Sequence, residues 1–414
     1  MIPWTWKIIW VSFCCLSAAC GPPGRRAELR DAARYPEEIV THEERRQEVA
    51  EKVRRVVDLA RSAGLSGILL SRPDNFAWIT GGGADAMPLG AQPAGAIFVR
   101  VDGQKFFLGV TGEVGRVAAS EMESLGYTGR LFPWFDQGPS PPTASLRELS
   151  GGRVFGSDTA RDGVPVLAEE VSGLRVPLTR WEVRKLRWLG RKSAETVDKV
   201  CRGIRPWMTD RGIEAEVSGL LAAGAIRTVE VRVQADCPVP GSVVRKVEKH
   251  AVVNLAASRW GLVVALARAV HFGPVSTEMK ARYDALALVH AGYWARTVPG
   301  MSAAEIFREA VADYAAAGHP DAWKNGPQGG RIGYERWEWL AAAASDHRIH
   351  ENQAFAWRPS IQDAVAEDTI LLEGERLTVL TEMPQWPVVE QRALGRIYRM
   401  PGLLVVDPLR LPER

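Results

Sequence analysis

The sequence predicts an α/β protein of two domains, and three observations support this. At 414 residues the chain is long enough for two domains with separate cores. From about residue 44 to 177, short apolar runs alternate with helical patterns, which is typical of an α/β domain. From residue 179 a second succession begins, with two helices, a strand-rich stretch over 228–270 and two further helices, ALALVHAGYWART and SAAEIFREAVADYAAAG.

The N-terminal half can be divided into elements from its periodicity and turn residues. EERRQEVAEKVRRVVDLARSAG repeats valines on one helical face and ends at Gly64, a typical helix C-cap. SGILLS and FAWITGG are predicted strands, and AGAIFVRVDGQKFFLGV predicts a hairpin that turns at Asp102-Gly103. A helix near 114–125 and the strand RVFGSD follow.

The balance of charge excludes one class of partner. The chain has 52 Lys and Arg against 49 Asp and Glu, which gives a formal net charge of +3. These charges are spread along the chain and form no basic stripe, so we expect no nucleic-acid partner.

The first 20 residues predict an export signal. After one lysine, the apolar run IIWVSFCCLSAA has twelve residues, too few to span a bilayer, which needs about 20. LSAAC resembles a bacterial lipobox, which implies cleavage and lipidation at Cys20 and a polar linker over 21–45. We therefore expect an exported lipoprotein anchored on the periplasmic or cell-surface side of a membrane. A plain export signal or a signal anchor is the alternative.

The cysteines leave their pairing open. Cys201 and Cys237 could form a disulfide in an oxidising compartment, but two cysteines alone do not establish a pair. The sequence has no CxxC motif or Cys/His cluster that would predict a zinc site of that type.

Five segments between about residues 46 and 400 belong together: RKSAETVDKVCRGIRPWMTDRGIEAEV, LALVHAGYWARTVPGMSAAEI, GGRIGYERWEW, AFAWRPSI and AEDTILLEGERLTVLT. Their order, spacing and turn residues resemble those of the creatinase/Xaa-Pro aminopeptidase (peptidase M24) family. The resemblance implies a creatinase-like N-terminal α/β domain over 46–178, followed by a pita-bread domain over 179–414. It also raises a homodimer as one alternative for the oligomeric state.

The resemblance implies a metal centre whose ligands are mostly absent here. The family's metallopeptidases hold two divalent cations, which activate a bridging water, with two Asp, one His and two Glu. The matching positions in this chain are Asn254, Ala265, Gly330, Arg358 and Glu367. A catalytic histidine of the family matches Trp337, beside the retained Glu338.

The arginine at a ligand position decides the cofactor prediction. A guanidinium about 4 Å from a dication, at an effective dielectric near 20, is repelled by about 8 kcal/mol, and arginine does not deprotonate in proteins. We therefore expect no metal and no other cofactor.

The same comparison predicts a polar cleft in place of the metals. Arg358 and Glu367 are expected to form an ion pair that Arg268 could join. The predicted ligand-binding cleft comprises Arg268, Arg358, Asn254, Gln328, Tyr334 and Trp337. Further tryptophans that could form its walls are Trp260, Trp339 and Trp357, although each is more often part of a core.

Glu367 and Glu338 are the candidate catalytic residues, and Glu335 and His271 are further titratable groups. The main functional hypothesis is a non-catalytic or ligand-binding homologue that takes a small molecule or short peptide. The alternative is a metal-independent hydrolase of a small amide, guanidino or proline-containing substrate. An active Xaa-Pro aminopeptidase is a third hypothesis, against which the ligand positions argue.

Overall fold

The computed structural model describes residues 39–83, 95–133, 135 and 141–407. The predicted signal peptide, Cys20 and the linker up to residue 38 lie outside these described residues. Within them, no helix combines the length and apolar character that crossing a membrane requires.

The N-terminal domain packs helices against a mixed five-stranded sheet in the order β4-β3-β2-β1-β5. Its elements are α1 (His42–Ser62), β1 (Gly67–Leu70), α2 (Pro73–Ile79), β2 (Gly95–Arg100), β3 (Lys105–Val110), α3 (Glu113–Ser124), β4 (Thr128–Phe132), α4 (Thr143–Leu149), β5 (Gly156–Ser157) and α5 (Ala168–Leu174). The predicted hairpin is confirmed, since β2 and β3 pair antiparallel.

The first helix illustrates how the sequence specifies its ends. Thr41 and Glu44 form a capping box at the N-terminus of α1, which satisfies two otherwise unpaired backbone donors. Its buried face carries Val49, Val53 and Val56. Gly64 follows with a φ of 67°, a conformation that suits glycine. The predicted helix is confirmed.

The predicted strand FAWITGG is wrong, because its first four residues belong to α2. Pro73 opens this helix at a position where its missing N–H costs nothing and its fixed φ is helical. Phe76, Trp78 and Ile79 are buried around it. A short apolar run has the same composition in a buried helix and in a buried strand, so periodicity could not separate them.

The second domain contains a four-stranded sheet, β18-β8-β7-β6, and a five-stranded sheet, β10-β9-β11-β14-β15. Its elements are α6 (Arg180–Gly203), α7 (Asp210–Ala223), β6 (Arg227–Pro238), β7 (Arg245–Arg259), β8 (Leu262–Phe272), α8 (Thr277–Arg296), α9 (Ala303–Ala316), a 3₁₀ helix (Ala322–Asn325), β9 (Gly329–Ile332), β10 (Trp339–Leu340), β11 (Gln353–Trp357), β12 (Ser360–Ile361), β13 (Ala364–Val365), β14 (Asp368–Glu373), β15 (Arg376–Val379), β16 (Val388–Ala393), β17 (Arg396–Pro401) and β18 (Leu404–Val406).

The two sheets meet where β8 approaches the start of β14. The Ala267 N–H donates to the Glu367 carbonyl at 2.9 Å, and the Ala265 N–H donates to the Thr369 hydroxyl at 2.7 Å. Helices α6 and α7 contact strands of the four-stranded sheet. The junction of the sheets is where the ligand-equivalent positions lie.

Candidate functional site

The register of β6, β7 and β8 decides which side chains share a face. Asn254 pairs with Arg232 on one side and with Ala267 on the other. Ala265 pairs with Ala256, two residues from Asn254. Because directly opposed residues lie on one side of a sheet and alternate along each strand, Arg232, Asn254, Ala265 and Ala267 share a face. We call this the inner face.

Glu367 is held at the edge of the inner face by two arginines. Its side chain is only 1% exposed. Arg336 Nη2 lies 2.5 Å from one carboxylate oxygen, and Arg358 Nε lies 3.3 Å from the other. The predicted pair of Arg358 and Glu367 is therefore present, with Arg336 as a partner that the sequence did not reveal.

Asn254 extends this arrangement onto β7. Arg358 Nη2 donates to Asn254 Oδ1 at 3.2 Å. Asn254 Nδ2 donates in turn to the Arg232 carbonyl on β6 at 3.2 Å. Arg336, Glu367, Arg358 and Asn254 form one group joined by ion pairs and hydrogen bonds, which we call the Glu367 network.

The Glu367 network has one carboxylate for two guanidinium groups. Burial raises the pKa of Glu367, and the charges of Arg336 and Arg358 lower it without fully cancelling that effect. Arg336 also lies 3.7 Å above the ring of Trp337, a cation–π contact. Trp337 occupies the position where the resemblance implies a catalytic histidine. Its ring packs against Arg336 and so orients that arginine.

The remaining ligand-equivalent positions leave no donors for a metal. A Cβ added to Gly330 would lie 2.1 Å from the Trp339 carbonyl oxygen, so this position has no room for a side chain. Ala265 is fully buried. In the part of the chain that the structure describes, no group of three or more His, Cys, Asp or Glu could hold a metal ion. The Glu367 network thus does not fit a pair of divalent cations.

The Arg268 side chain reaches Glu367 only at its backbone carbonyl, to which Nη1 donates at 3.3 Å, and not at its carboxylate, which corrects the expectation from the sequence. It follows Ala267 by one residue, so its side chain lies on the face opposite Asn254. There it binds Asp368 at 2.7 Å and the Thr381 carbonyl at 2.9 Å. The pair of Arg268 and Asp368 is a separate buried ion pair behind the site.

Glu338 also lies elsewhere, in a charged group between the two domains. We call this group the interdomain network, and its members are Arg72, Asp74, Arg175, Arg331, Glu335 and Glu338. Arg175 links the halves, since it binds Asp74 at 2.5 Å and also binds Glu338. The catalytic role considered for Glu338 has no support from this placement.

Tyr334 belongs to a buried cluster that joins α1, α6 and the segment after β9. Its hydroxyl donates to Glu182 at 2.6 Å and accepts from Lys52 at 3.0 Å. Lys52 also pairs with Glu48, which in turn pairs with Lys185. We call these five residues the buried lysine cluster, and their mutual hydrogen bonds indicate a structural role for Tyr334.

Gln328 is fully occupied by neighbouring groups. Its Oε1 accepts from the hydroxyls of Tyr314 and Tyr293, at 2.8 and 3.3 Å. Its Nε2 donates to the carbonyls of Trp323 and Gly326, at 3.0 and 2.9 Å. With all four hydrogen-bonding capacities used, Gln328 anchors the start of β9 rather than facing a ligand.

The other candidate residues lie away from the Glu367 network. Trp357 and Trp339 pack in a core cluster with Phe355, and Trp260 packs against Trp188. His271 is buried, with Nε2 3.2 Å from the Pro274 carbonyl. The described cysteines, Cys201 and Cys237, are unpaired.

A cavity of about 690 Å³ lies along β6, beside Arg232, whose carbonyl accepts from Asn254; no member of the Glu367 network lines it. Its lining residues include Glu230, Arg232, Gln234, His250 and Asp363. Three of them, Glu230, Arg232 and Gln234, recur at every second position of β6. That alternation was visible in the sequence, and it marks one face of the strand.

No protein-family model matches the sequence, and neither does any curated protein. Solved structures do match. A dipeptidase from Mycobacterium ulcerans has 18% identity and a TM-score of 0.68, over 87% of this chain and 99% of that chain. An X-Pro aminopeptidase from Thermotoga maritima has 15% identity and a TM-score of 0.65, over 86% and 99%. The N-terminal domain of a FACT complex subunit from chickpea, Cicer arietinum, has 12% identity and a TM-score of 0.59, over 81% and 96%.

These matches show that the chain has a creatinase-like, peptidase M24 fold with a pita-bread domain. Identities below 20% establish the fold alone. One of the three similar structures is named as a subunit of a complex rather than as a peptidase. The fold therefore does not specify peptidase activity, and the site has to be judged by its own residues.

Proposed function

We propose that the protein is a non-catalytic, ligand-binding protein built on the M24 peptidase fold, without a metal centre. One observation carries the proposal: both carboxylate oxygens of Glu367 are engaged by Arg336 and Arg358. Glu367 is the one ligand-equivalent carboxylate that the chain retains, and two guanidinium groups occupy the space beside it. The positive charge that a metal would supply is already present as protein side chains.

The cavity along β6 is the proposed ligand site. It is open along β6, where Arg232 is exposed and Gln234 half-buried, and its volume of about 690 Å³ suits a small molecule or a short peptide. Carboxylates and three arginines line it, so the ligand would be polar. The hypothesis of a non-catalytic or ligand-binding homologue is therefore retained, with this cavity as its proposed binding site.

A metal-independent hydrolase acting through Glu367 is the alternative. A general base needs a free lone pair within hydrogen-bonding distance of the proton it removes. In Glu367, Oε1 accepts from Arg336, Oε2 lies 3.3 Å from Arg358 in an ion pair, and the side chain is only 1% exposed, so the carboxylate is not placed to meet a substrate proton. This favours binding over catalysis.

Hydrolysis of Xaa-Pro dipeptides separates the three hypotheses. The protein would be assayed with Mn²⁺, with Co²⁺ and with a chelator, alongside the Glu367→Gln variant. We expect no turnover above the buffer rate under any condition. Turnover that the chelator abolishes would identify a metallopeptidase, while turnover that resists the chelator and is lost in Glu367→Gln would identify the metal-independent hydrolase.

We also propose that the chain is exported and anchored through a lipid on Cys20, as the first 20 residues indicate. Mass spectrometry of the mature protein from membranes should find an N-terminal diacylated cysteine. A Cys20→Ala variant should leave the membrane fraction, and an unmodified mature N-terminus at any other residue would contradict the proposal.

A further inference from the structure

A second cavity, of about 1240 Å³, lies between the two domains. Helices α2 and α5 of the N-terminal domain contribute to one side of it. Strand β9 and the segment 346–353 of the second domain contribute to the other. No member of the Glu367 network lines it, so it is distinct from the site described above.

Arg331 is an incompletely paired arginine in the lining of this cavity. Its side chain is only 8% exposed. Among the described residues its one ion-pair contact is from Nη2 to Glu338 Oε2, at 3.3 Å. Its Nε has no hydrogen-bond acceptor in the described part of the chain. A buried guanidinium with free donors is costly unless an acceptor meets it.

Glu338 cannot satisfy Arg331 any further. The Oε2 atom of Glu338 is also bound by Arg175, more closely than by Arg331. The Oε1 atom accepts from the backbone N–H of Tyr334 at 2.8 Å. Arg331 therefore has donor capacity left for a group from outside the chain, and a carboxylate matches the planar guanidinium best.

Glu335 offers the opposite charge in the same cavity. Its Oε1 binds Arg72 at 2.5 Å, whereas its Oε2 lies 3.9 Å from Arg175, beyond hydrogen-bonding distance. The side chain is 37% exposed. Glu335 can therefore accept a hydrogen bond from a cation while it keeps its contact with Arg72.

The charge of the whole lining selects the class of ligand. Four arginines line the cavity against six carboxylates. A simple anion would meet this excess of negative charge, and a simple cation would leave Arg331 without an acceptor. A molecule that carries one negative and one positive charge complements both Arg331 and Glu335.

We propose that the interdomain cavity binds a small zwitterion of the free amino acid type, with its carboxylate on Arg331 and its ammonium group facing Glu335. This goes beyond the proposed function, because it uses no residue of the Glu367 network. Bound in this way, the ligand contacts the charged group that holds the two domains together.

Isothermal titration calorimetry of the intact protein tests the proposal. The twenty free amino acids would be titrated individually, with acetate and methylammonium as probes for each charge alone. We expect at least one amino acid to bind, and more tightly than either single-charge probe. For that amino acid, Arg331→Met and Glu335→Gln should each weaken binding by about tenfold or more.

Two further variants make the test decisive. Arg331→Lys keeps the charge but not the planar fork, so its affinity should lie between those of the wild type and Arg331→Met. Arg296→Met is a matched control, because Arg296 is similarly buried and ion-paired but does not line the cavity; it should bind normally. The proposal is overturned if no free amino acid binds at about 10 mM, or if all three cavity variants, each shown to be folded by circular dichroism, bind as the wild type does.

Discussion

Replacing Glu367 by Gln should destabilise the protein more than removing one of its arginine partners. The Glu367 network has two guanidinium groups and one carboxylate, 1% exposed. In Glu367→Gln, Arg336 and Arg358 remain side by side with no neutralising charge in the network. In Arg358→Met, the 2.5 Å pair of Arg336 and Glu367 remains intact.

The expected losses in the free energy of unfolding follow from the burial of the charged groups. Breaking a fully buried pair by removing one partner costs about 3–5 kcal/mol. Because the two arginine side chains are 15% and 22% exposed, water screens part of their repulsion, so we expect about 3 kcal/mol for Glu367→Gln. For Arg358→Met, which loses a 3.3 Å contact and the hydrogen bond to Asn254, we expect about 1 kcal/mol. The double variant Glu367→Gln/Arg358→Met should be more stable than Glu367→Gln alone, because it has one uncompensated charge fewer.

Urea unfolding followed by tryptophan fluorescence measures all three variants. Glu373→Gln is the control, because it removes a carboxylate from an exposed pair with Arg187 and should cost less than about 1 kcal/mol. The reasoning is refuted if Arg358→Met is as destabilising as Glu367→Gln, or if the double variant is less stable than Glu367→Gln.

Three further predictions concern the buried lysine cluster and Gly330, the ligand-equivalent position that has no room for a side chain. Lys52→Met should lower the free energy of unfolding by about 4 kcal/mol, because it leaves two carboxylates with one remaining lysine in a fully buried cluster; a loss below about 1 kcal/mol in urea unfolding would contradict this. Burial raises the pKa of Glu182, but Lys52 and hydrogen bonds outweigh it and hold that pKa below its ordinary value. The stability from this group is therefore present at neutral pH and lost as the pH falls below about 4.5, so Glu182→Gln should flatten the acid side of a plot of stability against pH, and an unchanged slope would argue against it. Gly330→Ala should cost about 3 kcal/mol, because its Cβ would meet the Trp339 carbonyl at 2.1 Å, whereas the control Gly326→Ala meets nothing within 4 Å and should leave the melting temperature nearly unchanged.

The resemblance to the M24 family predicted the fold and the centre of the site, because short segments with matching order, spacing and turn residues carry it. The pair of Arg358 and Glu367 followed from aligning short segments whose turn residues fix their register. Arg268 was assigned to the wrong side of the sheet, although strand alternation already separates it from Asn254. Counting along the hairpin would have given the right face.

Contacts between distant segments could not be predicted in this way. Arg336 reaches Glu367 from 31 residues away, with strands β10 to β13 between them, so no local pattern specifies this contact. Arg175 reaches Glu338 from 163 residues away, in the other domain. The roles of Tyr334 and Glu338 depend on such contacts, so their partners could not be predicted from the sequence alone.

Metal content after equilibrium dialysis tests the central claim most directly. The purified protein would be dialysed against Mn²⁺, Co²⁺ or Zn²⁺ at neutral pH, and the excess metal per chain would be measured with Glu367→Gln in parallel. We predict well below one ion per chain for every metal, with no difference between the two proteins. Saturable binding of two ions per chain that is lost in Glu367→Gln would contradict the account.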